Sequence, residues 1–171
     1  MNFSQTGRIV QINVNPQGGV PKHSVASADV SVGGVVGDRQ RDRRFHGGPL
    51  RAVSLYSHER IEALCAEGHP IAPGTTGENL TISGLDWERI QIGDLLRIGQ
   101  LVELEITSYV KPCKNISGSF IAGEFKRISQ KAHPGWSRLY ARVLREGTVH
   151  AGDVVEWKPT SDQPDNEGTH Q

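Results

Sequence analysis

Cys113 stands directly after Pro112 and between Lys111 and Lys114, in the stretch KPCKNISGSF at 111–120. The thiolate is the form of cysteine that attacks electrophiles and ligates metals, and cationic neighbours favour it over the thiol. Pro112 stiffens the backbone before the sulfur and donates no hydrogen bond of its own. Asn115, Ser117, Gly118 and Ser119 follow, offering polar donors without bulk. The pattern suits a sulfur aimed at an anionic or metal-bearing ligand. It is equally compatible with a free thiol beside surface lysines.

Two further stretches carry chemistry of another kind. GDRQRDRRFHGGPLRAV at 37–53 sets five arginines, Arg44 and Arg51 among them, against two aspartates. His46-Gly47-Gly48 lets backbone amides approach a ligand closely, and glycine amides beside arginine suit phosphate. A solvated charged loop is the plainer alternative. GTTGENLTISG at 74–84 places Gly77-Glu78-Asn79 at a turn before a strand, which by itself is an ordinary hairpin. Neither GxxxxGK[ST] nor GxGxxG occurs, so the common nucleotide motifs are absent.

Composition restricts what these residues can serve. The chain has 171 residues, enough for one domain with a substantial core. Nineteen basic residues balance nineteen acidic ones, which argues against a general nucleic-acid binder. No apolar run approaches the ~18 residues of a membrane span. MNFSQTGRIVQINVNPQGG lacks a basic region followed by an apolar one, so the expectation is a cytoplasmic protein with no membrane partner. Cys65 and Cys113 are the two cysteines, and a cytosolic disulfide between them is not expected. The seven histidines form neither HxH nor HExxH, and no CxxC is present. The sequons at Asn79 and Asn115 are read as accidental.

The elements that must position Cys113 read as short strands. RIVQINV (8–14) sets Ile9, Gln11 and Asn13 against Val10, Ile12 and Val14. RAVSLYS (51–57) is a further strand. LVELEITSY (101–109) turns Val102, Leu104 and Ile106 one way, and RLYARVL (138–144) does the same with Leu139, Ala141 and Val143. IGDLLRI (92–98) and AGDVVEW (151–157) each begin a strand through Gly-Asp, read as barrel corners. Period-2 alternation between glycine-containing turns predicts a mainly β barrel or sandwich. One helix is predicted over 57–67, capped by Ser57 and ended by Gly68, with Ile61, Leu64 and Cys65 on one apolar face. Cys65 is therefore expected in the core. A second helix is expected near 119–132. The domain is expected to span 1–158, with a disordered acidic and polar tail at 159–171.

In combination the motifs resemble the MOSC family, named for the C-terminal domain of molybdenum cofactor sulfurase. The matching residues are Gly37-Asp38, His46-Gly47-Gly48 with Arg51-Ala52-Val53, Gly77-Glu78-Asn79, Gly93-Asp94, Pro112-Cys113 and GWSRLYARVLREGTVHAGD at 135–153. They run over residues 8–157, in the order of the small single-domain bacterial members. The resemblance implies a closed β-barrel like a pyruvate kinase insert domain, with a few short helices. It implies that Cys113 is the catalytic residue and the ligand to molybdenum of the pterin cofactor. Around that cofactor it places Arg44, His46, Gly47, Gly48, Arg51, Glu78, Asn79, Lys111, Lys114 and Asn115. Relatives such as the mitochondrial amidoxime-reducing component reduce N-hydroxylated bases and amidoximes. Others are held to carry sulfur as a persulfide, so a sulfur carrier or a cofactor-delivery module is the alternative to an enzyme. Two cysteines cannot hold an iron–sulfur cluster, which usually takes four, so an external reductase or electron carrier is the implied partner. Pyridoxal phosphate belongs to a fused domain of larger relatives and is not expected in this chain. Strand edges leave a homodimer open.

Overall fold

The structure is a computed structural model, described here for residues 5–39 and 48–160. Its core is a closed seven-stranded barrel. β1 (Thr6–Val14), β5 (Val53–Ser57), β6 (Leu80–Ser83), β7 (Leu95–Ile98), β8 (Val102–Tyr109), β9 (Leu139–Arg145) and β11 (Val154–Lys158) close in the order β1-β11-β7-β8-β9-β5-β6 and back to β1. Closure removes the exposed edges an open sheet would leave. Every neighbouring pair is antiparallel except β5 and β6. That pair is parallel because helix α1 (His58–Ala66) lies in the crossover between them. β2 (His23–Val25) pairs with the end of β1. β3 (Ser27–Ser31), β4 (Gly34–Val35) and β10 (Gly147–His150) make a small second sheet.

Inward residues fill the barrel, with Leu55, Leu80, Leu96, Ile98, Leu104, Ile106 and Ala141 fully buried. The alternation predicted for β8 and β9 holds. That of β1 changes phase: the ladder to β6 slips between Ile9 and Gln11, leaving Val10 outside and both Ile9 and Ile12 in the core. A bulge of this kind inserts one residue and shifts every later side chain to the other face. Both Gly-Asp corners form. Gly93 has φ 96°, and Asp94 accepts hydrogen bonds from the Gln91 amide and Trp157 Nε1. Asp153 accepts from the His150 amide at 2.7 Å.

Helix α1 starts as predicted, with Ser57 Oγ accepting from the Arg60 amide at 3.2 Å. Its buried line is narrower than expected. Ile61 and Leu64 are buried, but Cys65 is exposed, and its thiol donates to the Ile71 carbonyl. Cys65 lies roughly 100° round the helix from Leu64, beyond the strip a two-turn helix lays on a barrel. The helix expected near 119–132 is replaced by separate 3₁₀ turns at Lys114–Ser119, Ile121–Gly123 and Phe125–Ile128. Extended backbone at Phe120 and positive φ at Ala122 and Gly123 interrupt any continuous helix. Ile116, Phe120 and Ile128 instead pin the segment to the core one residue at a time. Among the described residues no helix is long and apolar enough to cross a membrane.

Candidate functional site

After β8 ends, the Val110 amide bonds to the Arg138 carbonyl at 3.0 Å and carries the pairing with β9 one step further. Lys111 and Pro112 then lead the chain off the barrel. Cys113 is extended (φ −136°, ψ 170°) and precedes the first 3₁₀ turn, whose Ile116 amide returns to its carbonyl at 3.1 Å. Because Ile116 is buried, this turn fixes the half-buried Cys113 at the wall of a cavity of about 260 Å³. The opposite walls are Gly19, Val20 and Lys22 before β2, Ser54 at the start of β5, and the Thr76–Gly77 turn before β6. Arg138 immediately precedes β9 and Tyr140 lies within it, with Arg39, Lys111 and Asn115 among the rest of the lining. Gly77 needs its positive φ of 83°; a Cβ there would also meet Val20 at 3.0 Å.

Four cations line this cavity and no acidic side chain does, among the described residues. Lys22 is paired with Asp38 at 2.7 Å. Arg138 is different. It is 7 % exposed, its Nη1 donates to the Thr76 carbonyl, and its Nε has no hydrogen-bond partner among the described residues. Burial pulls its pKa below the usual arginine range, opposed by the charges of Tyr140, Glu78, Tyr56 and Cys113. Burial likewise pushes the Tyr140 hydroxyl above the usual tyrosine range. The Arg51 guanidinium lies 5.7 Å from the centre of the Tyr140 ring.

Of the residues proposed from sequence, Cys113, Lys111 and Asn115 meet at this cavity. Arg51 touches it only through Tyr140. Gly48 and the exposed Lys114 lie outside its lining. Glu78 and Asn79 stand behind the wall. Glu78 accepts from the Gly74 amide and the Thr76 and Thr81 hydroxyls, and burial pushes its carboxyl above the usual range. Asn79 accepts from the Ser54 amide and donates to the Asn13 carbonyl and Asp38. Together they hold the turn that presents Thr76, Gly77 and Ser54. Arg44, His46 and Gly47 lie outside the described residues. Sequence reasoning missed Lys22, Arg138 and Tyr140. The period-2 pattern of β9 could have marked the last two, since Leu139 and Ala141 face the barrel and leave Arg138 and Tyr140 on the other side. Among the described residues no three of His, Cys, Asp or Glu cluster as a metal site.

Residues 42–156 match the MOSC domain. The uncharacterized protein YflK of Bacillus subtilis is 34% identical over 124 residues, covering 70% of this chain and 53% of YflK. A protein named "Reductase" from Gibberella moniliformis is 32% identical over 130 residues, 73% of this chain and 22% of that protein. The chain thus spans about half the length of the first and a smaller share of the second. The crystal structure of YiiM from Geobacillus stearothermophilus superposes with a TM-score of 0.69 over 90% of this chain and 75% of that one, at 24% identity, which bears on the fold alone.

Proposed function

The chain belongs to the MOSC domain family, and from that premise we propose that it holds the molybdenum cofactor at Cys113 and reduces N-hydroxylated substrates with electrons from an external donor. The observation that carries this reading is the cavity itself, with one thiol among four cations and no acid. A metal that arrives with its own dithiolene sulfurs needs one soft ligand from the protein rather than a cluster of them. A pterin that ends in phosphate needs cations, and Lys22, Arg39 and Lys111 supply them beside the backbone of Gly19 and Gly77. The unpartnered Arg138 Nε and the absence of lining acids fit an anionic occupant. Bound there, the cofactor supplies the oxygen-atom and electron chemistry.

The chain's own residues bind and orient. Cys113 is fixed from both sides, by Pro112 and by the buried Ile116. Val20, Val110 and Ile116 are the aliphatic part of the lining. The Tyr140 hydroxyl, kept protonated by burial, is a proton donor on the same wall. Two cysteines, 48 positions apart in sequence and one of them exposed on α1, are too few for an iron–sulfur cluster, so the reductant comes from outside these 171 residues.

Protein made in a host that synthesises the cofactor should contain about one molybdenum per chain. Cys113→Ser, which replaces a soft ligand with a hard one, should lose the metal and N–O reduction together while keeping its melting temperature. Full molybdenum content in Cys113→Ser overturns the reading. Metal-free protein whose Cys113 is heavier by one sulfur supports the persulfide carrier instead.

A further inference from the structure

We propose that Arg138 is an anion-receiving subsite at the Cys113 end of the cavity, so that the molecule presented to Cys113 carries a carboxylate or similar oxyanion of its own. Arg138 is a buried cation whose ordinary partners are missing. Among the described residues it makes no ion pair, its Nε is unpartnered, and its one hydrogen bond goes to a neutral carbonyl. Glu78 does not take that place. Both of its carboxylate oxygens are occupied by the Gly74 amide and the Thr76 and Thr81 hydroxyls. A buried guanidinium with no carboxylate in direct contact is expensive to keep. Four residues further on, within β9, Arg142 is exposed and has a carboxylate at 2.8 Å. Arg138 lines the cavity with Cys113, and the two are near enough for their charges to act on each other.

Arg39 and Lys111, which have no ion pair among the described residues, line the cavity beside the Asp38-paired Lys22 and are available for the phosphate of a cofactor. Arg138, reached by no carboxylate among the described residues, is the remaining cation of the lining. Arg138 is therefore assigned to the substrate. The assignment rests on the proposed function for the word substrate only; the subsite is a property of the cofactor-free protein, and it can fail while molybdenum binding stands.

The test is alkylation of cofactor-free protein with iodoacetate and iodoacetamide, which differ in charge, followed by peptide mass spectrometry. In both reactions the Cys113 sulfur displaces iodide as a carbon–sulfur bond forms. Exposed Cys65 is the internal reference. The ratio of iodoacetate to iodoacetamide rates at Cys113 should exceed that at Cys65 by about tenfold, the scale of one charge-assisted hydrogen bond. Arg138→Gln should bring the two ratios together, and Arg138→Lys, which keeps the charge and can still reach Thr76, should retain most of the preference. Equal ratios in the wild-type protein, or a preference untouched by Arg138→Gln in folded protein, overturns the subsite. Acetate should slow iodoacetate labelling of Cys113 in wild type but not in Arg138→Gln. Protection by inorganic phosphate without protection by acetate overturns the substrate assignment and gives Arg138 to the cofactor's phosphate.

Discussion

Two regions of this molecule each contain one cysteine, a pair of arginines and an aromatic ring, and they are built to opposite ends. Beside α1, Arg60 from its first turn and Arg127 from the last 3₁₀ turn lie over the Trp136 ring at 4.3 and 4.1 Å. Arg60 also donates to the Gly135 carbonyl, and Arg127 forks onto both oxygens of Glu67. Cys65, nearby on the same helix, has its thiol taken up by a backbone carbonyl. In the cavity, Arg51 lies over Tyr140, but Arg138 has neither a carboxylate nor a partner for Nε among the described residues. In the first region Arg127 Nη1 and, at the start of α1, His58 Nδ1 lack a partner among the described residues, but Arg127 keeps its carboxylate. The difference separates scaffold from site. A cation with its partners supplied by the chain stabilises the fold, whereas one left short is stabilised by what binds.

The largest expected effect breaks the first region. Trp136→Ala removes the surface on which two guanidiniums rest and should lower the free energy of unfolding by about 3 kcal/mol. Denaturant titration measures this, and the charge preference of Cys113 alkylation should not change. A loss below about 1 kcal/mol would show that the stack is incidental.

The carboxylates of the two regions should respond to pH with opposite sign. Glu78 has a raised folded pKa because of burial. Its contribution is complete below the ordinary glutamate value of about 4.3 and is lost as pH rises from there through the raised folded value. Glu67 has a lowered folded pKa because of the Arg127 hydrogen bond. Its contribution is present above the ordinary value and lost as pH falls through the lowered one. Glu78→Gln should therefore flatten the stability profile on the alkaline side of that value, and Glu67→Gln on the acid side. Glu67 is solvent-facing, so its effect should be the smaller and should fade with salt. The same flattening from both variants would erase the distinction between the regions.

The smallest effect is expected at Cys65. Cys65→Ser keeps a donor for the Ile71 carbonyl on an exposed helix face and should change stability by less than about 0.5 kcal/mol. A larger loss would restore the core role that the apolar spacing of Ile61, Leu64 and Cys65 suggested.

What was legible in the chain follows a physical division. Strands β7, β8, β9 and β11 could be placed because alternation and Gly-Asp turns are local properties of consecutive residues. The start of α1 could be placed because a serine cap is local too. The bulge in β1 could not, since only pairing with β6 forces Val10 out. The 119–132 segment misled because its apolar residues match helical spacing, while Phe120 and Ile128 are held by the core and Ile121 is left exposed. Within the site, Cys113, Lys111 and Asn115 were legible as neighbours in sequence. Lys22 and Arg138, 116 positions apart, were not.

The sequence by itself determined the strands, the turns and the one cysteine placed after a rigid proline and between two lysines, because those depend on residue types a few positions apart. Tertiary structure alone decided which polar groups are satisfied. Glu78 and Asn79 became struts because Thr76, Thr81, Ser54 and Asp38 fold around them and use their hydrogen-bonding capacity. Arg138 became a site residue because the turns around Thr76 and Cys113 pack over it outside the barrel and bring it no carboxylate among the described residues. Desolvation and partnership are properties of the packed interior, and neither is written in the spacing of residues along a chain.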